Sequence, residues 1–219
     1  MRQEMGSTGA ASAGTNRAIE NQSPASMRPL DDVDGARAVQ YLLLANLFQR
    51  APGSGLLRDI SNLRGNASPL GIAQSALAEA ARTAEPSAIA SEYLDLFVGV
   101  GRGDILPYGS YYLTGFLHER PLARLREDMG RLGLERQGGV FEPEDHIASL
   151  FEIMAGLVGG AFDAPAKAAD EFFERHIAPW APRLMADVAA APSSRFYKHV
   201  ARLGGVWLEI EQEAVRLPE

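Results

Sequence analysis

Apolar residues recur every three or four positions almost throughout the chain from Leu30 onward, and this helical period is the strongest constraint on its fold. No segment shows the sustained two-residue alternation of β-branched side chains that predicts strands. The clearest helical stripe follows Pro143 and consists of Ile147, Leu150, Phe151, Met154 and Val158. The sequence therefore predicts an all-α fold, a single globular domain of about eight to ten helices over residues 30–219.

Proline positions and breaks in the apolar period predict where the helices lie. Pro86, Pro121 and Pro143 each suit the first turn of a helix, where the missing N–H costs nothing. A helix that is apolar nearly all round, here 35–50, is expected to be central and buried. The glycine- and proline-rich segment 99–109 is expected to be a loop. The remaining predicted helices are 56–64, 69–83, a segment after Pro165, 183–190 and 194–213.

Several classes of protein are excluded by what the chain lacks. It has no cysteine, which rules out disulfides and cysteine-based zinc sites and makes the reducing cytoplasm the expected compartment. A net charge of −7 argues against nucleic-acid binding, and no apolar run is long enough for a membrane span. Residues 1–29 are rich in Ser, Ala, Gly and Asn and predict a disordered tail, not a secretory signal.

Four of the five residues in the segment Glu142-Pro-Glu-Asp-His146 are acidic or histidine, whereas most of the chain is rich in alanine and leucine. Proline and carboxylates in a first turn are typical of a helix N-terminus. That interpretation does not explain His146, which we expect to be neutral because a cation is disfavoured at that end of a helix. Asp145 and His146 could grip a peptide backbone or an arginine side chain. They could equally serve as the acid/base pair of a small hydrolase-like enzyme.

The surroundings of this segment are acidic. Residues 141–176 contain eight carboxylates against two basic side chains, a net charge of −6. Such a bias is commonly a solvated face, but it would also attract a basic ligand.

Two further segments stand out, and other motifs are missing. Leu106–Tyr112 places three tyrosines around a Pro-Gly turn, which suits either packing or recognition. His176–Trp180 has the pattern of a helix end followed by a proline stop. The glycines of 99–104 lack the Lys-Ser/Thr and the preceding strand of a nucleotide loop. No metal-ligand spacing or nucleophile elbow is present, so neither a metal nor a cofactor is predicted.

In this order and on a helical background, the motifs resemble the TorD/DmsD family of cytoplasmic molybdoenzyme maturation chaperones. The resemblance covers roughly residues 36–212. The matching segments are Glu92–Phe97 with the following glycines, Leu106–Tyr108 with Ser110 and Tyr112, Glu142–His146, and Phe172–Phe173 with His176, Pro179 and Trp180.

The resemblance implies a chaperone without enzymatic turnover, acting as a monomer or homodimer. Its partner would be the catalytic subunit of a molybdopterin-containing oxidoreductase, with its twin-arginine leader. The partner enzyme would be a formate dehydrogenase or a relative of the reductases of dimethyl sulfoxide and trimethylamine N-oxide. The chaperone would hold this client while the molybdopterin cofactor is inserted.

The resemblance also implies roles for individual residues. Gly109 departs from the family pattern, which usually has an acidic residue there. Residues expected to contact the client are Tyr108, Ser110, Tyr112, Glu142, Pro143, Asp145 and His146. Those expected to form the structural motif are Phe97, Pro107, His176, Pro179 and Trp180.

Overall fold

Ten α-helices make up nearly all of the regular structure in the residues that the computed structural model describes, which are 19–21, 32–99, 103–136 and 142–217. A π-helical turn, Leu94–Val98, continues the fourth helix, and strands β1 (Ile19–Asn21) and β2 (Leu134–Arg136) pair antiparallel. The helices are α1 Asp32–Gln49, α2 Ser54–Ser61, α3 Pro69–Thr83, α4 Pro86–Tyr93, α5 Gly109–Thr114, α6 Arg120–Arg131, α7 Ile147–Val158, α8 Ala168–His176, α9 Ala181–Ala190 and α10 Tyr197–Arg216.

Helix α7 is the centre of the fold. All of its residues except Glu152 are buried, so a helix that is apolar nearly all round has neighbours on every side. Helix α1 packs along it, with the rings of Tyr41 and Phe48 at 5.7 and 6.4 Å from that of Phe151. On the other side of Tyr41, Trp207 of α10 lies at 5.4 Å. Burial of these aromatic side chains supplies much of the hydrophobic stabilisation.

The all-α prediction is confirmed, and most predicted helices begin and end within three residues of the observed ones. The expectation that 35–50 is the central helix is wrong, because α1 leaves Val39 and Leu42 exposed while α7 is enclosed. The two short strands were not predicted, since three residues are too few for an alternation to register.

Two predicted segments need separate comment. Of the expected tail, residues 19–21 form β1, and the rest of 1–29 lies outside the described residues. The predicted loop 99–109 ends one residue early, because Gly109 begins α5. Residues 100–102 of that loop are also outside the described ranges.

A buried carboxylate joins the two halves of the chain. Glu92 of α4 accepts hydrogen bonds from the backbone N–H groups of Arg195, Phe196 and Tyr197, at 2.8, 3.0 and 2.7 Å. These are donors at the start of α10 that the helix itself cannot satisfy. The carboxylate therefore caps α10 from about one hundred residues away and favours its positive end.

We expect Glu92→Ala to lower the free energy of unfolding by about 2–4 kcal/mol, because the substitution leaves backbone donors near the core without their charged acceptor. Urea unfolding would measure the loss. Glu209→Ala, at an exposed position of α10, serves as the control and should change stability little. Equal effects of the two substitutions would contradict the capping role.

Candidate functional site

Two of the motifs found in the sequence meet where their backbones cross. Tyr108 and His146 form an isolated antiparallel bridge. The N–H of Gly109 donates to the carbonyl oxygen of Asp145, and the N–H of Ile147 donates to that of Pro107, both at 2.9 Å. This crossing is the framework on which the surrounding side chains are placed.

Asp145 links the crossing to α5. Its Oδ2 accepts a hydrogen bond of 2.7 Å from the backbone N–H of Ser110, in the first turn of that helix. Its Oδ1 is buried and has no hydrogen-bond partner among the described residues. One of its two oxygens is therefore committed to the fold, and the other is available as an acceptor. The hydroxyl of Ser110 is also buried without a partner, and this side chain is fully enclosed.

His146 is the N-cap of α7. Its Nδ1 accepts from the backbone N–H of Ala148 at 3.2 Å, so in the neutral ring the proton lies on Nε2. Burial lowers the pKa of His146 to about 4, against the opposing effect of Glu142 and Asp145. The predicted neutral state is confirmed, with burial as its main cause.

The prediction that Glu142–Asp145 lie in the first turn of a helix is wrong, because the helix begins later in the chain. Helix α7 begins at Ile147, so Pro143 and the carboxylates lie in the turn before the helix and not in its first turn. Pro143 shapes this turn through its carbonyl oxygen, which accepts from the N–H of His146 at 3.1 Å. The carboxylates are therefore directed to other partners. That of Glu144 accepts from Arg126 at 2.8 Å, and that of Glu142 from the hydroxyl of Tyr108.

The crossing separates two cavities. The first, the His146 cavity, has a volume of about 510 Å³. It is lined by Tyr93, Phe97, Val98, Pro107, Tyr108, Glu142 and His146, together with Gln49, Arg50, Ala148 and Ser149. The second, the Asp145 cavity, has a volume of about 80 Å³. Its walls are Gly109, Leu113, Pro121, Arg124, Leu125, Asp145, Leu150, Arg175, His176 and Trp180.

Tyr112 does not reach either cavity. Its hydroxyl donates to Asp187 of α9 at 2.9 Å, and its ring lies 5.4 Å from that of Trp180. It lines a third space, the Tyr112 cavity, of about 820 Å³ between α5, α9 and residues 104–106. The structure therefore groups Tyr108, Glu142 and His146 in one cavity, Asp145 in another and Tyr112 in a third.

Four of the five residues assigned to the structural motif line a cavity beside the crossing: Phe97 and Pro107 line the His146 cavity, and His176 and Trp180 line the Asp145 cavity. Phe97 packs against Phe48 and Tyr197 at ring distances of 5.8 and 5.3 Å. The indole N–H of Trp180 donates to the carbonyl oxygen of His176 at 2.7 Å, which closes the turn containing Pro179. Trp180 and His176 together form one wall of the Asp145 cavity.

Asp128 is a site residue that the sequence did not single out. It receives hydrogen bonds from His176 at 2.8 Å and from Arg175 at 2.7 Å. Burial would raise the pKa of Asp128, but these hydrogen bonds leave it lowered overall. Burial lowers the pKa of His176 despite the carboxylate. No sequence signal could reveal the contact, because 48 residues separate Asp128 from His176.

Metal-ion and membrane sites find no support in the described part of the chain. It contains no group of three or more potential His, Cys, Asp or Glu ligands arranged to hold a metal ion. None of its helices is long and apolar enough to cross a membrane.

Comparison with known proteins connects this geometry to a family. Residues 64–186, more than half of the chain, match the family model described as nitrate reductase delta subunit. The chaperone protein TorD of Shewanella loihica is 27% identical over an alignment of 203 residues that covers 82% of this chain and 93% of the relative. TorD of Vibrio cholerae is 26% identical over an alignment of 136 residues that covers 58% of this chain and 62% of the relative. The chain belongs to the TorD/DmsD family of molybdoenzyme maturation chaperones.

A solved structure has the same fold. A redox enzyme maturation protein from Archaeoglobus fulgidus superimposes with a TM-score of 0.57, covering 84% of this chain and 98% of that protein. At 19% sequence identity this likeness concerns the fold alone.

Family membership decides between the two interpretations of Asp145 and His146. The relatives are named as chaperones, and the family is not enzymatic, so the hydrolase-like alternative is not supported. The contacts agree with this outcome, because each side chain already caps a helix. For His146, uptake of a proton at Nδ1 would also break the hydrogen bond that positions the ring.

Packing explains why this member of the TorD/DmsD family has glycine at position 109. A Cβ atom there would lie only 3.1 Å from the indole nitrogen of Trp180. A side chain at this position would therefore require the indole ring or α5 to shift by a few tenths of an ångström. Glycine avoids this shift and permits the close approach of α5 to the turn after α8.

Stability should depend on pH through His146. Its pKa in the folded chain, about 4, lies below its ordinary value of 6.5, so the unfolded chain binds the proton more tightly. The contribution of neutral His146 to the free energy of unfolding is present above pH 6.5. It is lost as the pH falls towards 4, by about 3 kcal/mol in all. Urea unfolding near neutral pH and near pH 4 would measure it.

His146→Asn is the matched control, since asparagine is a favoured N-cap and does not titrate in this range. The difference in unfolding free energy between wild type and this variant should shrink or change sign as the pH falls. A difference that stays constant would show that His146 is not buried in its neutral form.

Proposed function

We propose that this TorD-family chaperone binds the catalytic subunit of a molybdopterin oxidoreductase through its twin-arginine leader. It then assists cofactor insertion and assembly in the cytoplasm before export. The client is a formate dehydrogenase or a relative of the reductases of dimethyl sulfoxide and trimethylamine N-oxide. Support comes from the relatives, which are named chaperone protein TorD, and from the carboxylates of Asp145 and Glu142, which lie at the two cavities beside the crossing.

The observation that carries the proposal is the unpartnered oxygen of Asp145. A buried carboxylate oxygen without a hydrogen bond is costly, and a guanidinium group that reached it would remove this cost and gain a charge-assisted bond. The end of the arginine side chain would enter the Asp145 cavity, whose walls also contain Arg124 and Arg175; of these, Arg175 is already paired with Asp128. The cost of burying this oxygen in the free chaperone is removed when the arginine binds, and this difference favours the complex with the client.

Glu142 offers the second carboxylate, on the other side of the crossing. It lies at the His146 cavity and holds the hydroxyl of Tyr108. Adjacent side chains of an extended peptide point in opposite directions, which suits carboxylates in two separate cavities. We therefore assign one arginine of the leader pair to Asp145 and the other to Glu142.

His146 supplies recognition of the leader backbone. With Nδ1 held by Ala148, the Nε2–H is the donor that remains for a peptide carbonyl oxygen in the His146 cavity. Because the pKa of His146 is about 4, this donor keeps the same form throughout the physiological range. Phe97, Val98 and Pro107 provide apolar contact around it.

Binding of a synthetic twin-arginine leader, measured by calorimetry, tests the role of Asp145. Asp145→Asn keeps an acceptor oxygen for the N–H of Ser110 but replaces the unpartnered oxygen with a donor group. We expect the affinity to fall by about tenfold or more, since one charged hydrogen bond is lost. Glu209→Gln, an exposed change on α10, should bind as wild type.

Two outcomes would overturn the assignment of the arginine. One is unchanged affinity of Asp145→Asn for the leader. The other is an equal loss for a control peptide whose arginine pair is replaced by glutamine, because the carboxylate would then not be reading the charge. If wild type binds neither peptide, the leader-binding function itself fails.

A second pair of variants separates the two nitrogens of His146. His146→Asn retains an acceptor at the position of Nδ1, and His146→Gln can present a donor near the position of Nε2. We expect the asparagine variant to lose more leader affinity and the glutamine variant to lose more stability. Calorimetry and urea unfolding on both variants would measure this. The reverse order would show that His146 acts on the leader only through the fold.

A further inference from the structure

Helix α1 has an exposed face that does not have the composition of a solvated surface. The helix carries no charged residue from Ala38 to Gln49, and a helix that is apolar all round is normally enclosed by its neighbours. The side chains of Val39 and Leu42 are nevertheless 67% and 45% exposed. The exposed side of a surface helix usually carries charged side chains, so this side of α1 has the composition of a covered one.

The surface residues of α1 follow a regular spacing. Positions 32, 36, 39, 43, 46 and 50 alternate steps of four and three, which is the seam of a helix that pairs with another helix. We call this seam the α1 face, and it consists of Asp32, Ala36, Val39, Leu43, Asn46 and Arg50, with Leu42 beside it. Of these, Leu43 and Asn46 are partly buried and the others are exposed.

The middle of the α1 face is complementary to a second copy of itself. A two-fold axis midway between Val39 and Leu43 generates an antiparallel pair of α1 helices. Val39 of one copy then faces Leu43 of the other, and this contact occurs twice, as in every interface with two-fold symmetry. The apolar centre of one face is thus covered by the apolar centre of the other.

The charges at the two ends of the α1 face agree with this alignment. Asp32 is in the first turn of α1, and Arg50 directly follows the last turn. The same axis places Asp32 of one copy opposite Arg50 of the other, whereas a parallel pair would bring like charges together. Neither side chain is hydrogen-bonded or ion-paired to another residue in the part of the chain that the structure describes. An antiparallel pair also places opposite ends of the helix dipoles side by side.

We propose that the α1 face joins two copies of this chain as an antiparallel helix pair. Helix α1 is only about 27 Å long, so one such pair buries less area than a permanent dimer requires, and the association is reversible. Arg50 also lines the His146 cavity. The second copy therefore places the carboxylate of its Asp32 beside the candidate site of the first, which links association to the charge at that site.

Sedimentation equilibrium of the full chain at micromolar concentrations tests this proposal. We expect a reversible equilibrium between monomer and dimer for the wild type. Val39→Asp should raise the dissociation constant by about a hundredfold or more, because the symmetric interface loses the apolar contact twice and buries two like charges. Ile72→Asp is the matched control, since Ile72 is 60% exposed on α3, lies outside the α1 face and undergoes the same change of charge.

Exchange of the end charges tests the antiparallel alignment. Asp32→Arg alone and Arg50→Asp alone each bring like charges together at both ends of the pair, and each should weaken the dimer several-fold. The double variant restores opposite charges and should associate like the wild type. A double variant as weak as the single variants would contradict the alignment.

Disulfide cross-linking measures the register, because the chain has no cysteine of its own. The proposed axis places Ala36 of one copy opposite Asn46 of the other, so a mixture of the Ala36→Cys and Asn46→Cys variants should give a cross-linked dimer. Each variant alone should not, since equivalent positions then lie about 15 Å apart along the helices, which is too far for a disulfide. Cross-linking of either variant with itself would contradict the register.

Three outcomes overturn the proposal. The first is a wild type that sediments as a monomer throughout; if Val39→Asp then weakened binding of the leader peptide, the face would belong to the client. The second is a dimer that Val39→Asp leaves intact, because the copies would then join elsewhere. The third is equal weakening by Val39→Asp and Ile72→Asp, which would reflect net charge alone. Sedimentation and cross-linking use no leader peptide, so a failure of leader binding would leave these results unaffected.

Discussion

The pair of backbone hydrogen bonds between residues 107–109 and 145–147 is the interaction on which the candidate site depends. It joins two segments almost forty residues apart and sets the starting positions of α5 and α7 together. Asp145 and His146 then cap one helix each, so their orientation follows from satisfying helix N-termini. Removing the crossing would therefore displace both caps.

The remainder of the fold keeps this crossing rigid. Helix α7 is enclosed by its neighbours, and its first residue is one of the hydrogen-bonded partners in the crossing. Far from the site, buried carboxylates tie the helices together. Glu92 caps α10, and Glu211 accepts from Arg37 and Tyr41 of α1. Such pairs define a unique arrangement, whereas apolar packing alone tolerates small shifts.

The sequence was sufficient to predict the fold class and most helices, because long amphipathic segments such as 69–83 carry a strong periodic signal. It was also sufficient to select the segments that meet, since these interrupt that signal. It could not predict that Ser110 is enclosed, that Tyr112 turns towards Asp187, or that Asp128 binds His176. Those contacts join residues distant along the chain, and local propensity does not register such pairings. Helix α5 was missed because six residues make fewer than two turns.

The hydrogen bonds of the crossing itself join main-chain atoms, so they do not depend on which side chains lie at its rim. Peptide N–H and carbonyl groups are the same for almost every residue type. Tyr108 and Glu142, whose side chains meet at the mouth of the His146 cavity, can therefore be exchanged without dismantling the scaffold behind them. A fold built in this way lends itself to divergence, since new clients can be accommodated by changing rim residues while the buried caps stay fixed. The same property makes the rim a natural starting point for redesigning client choice.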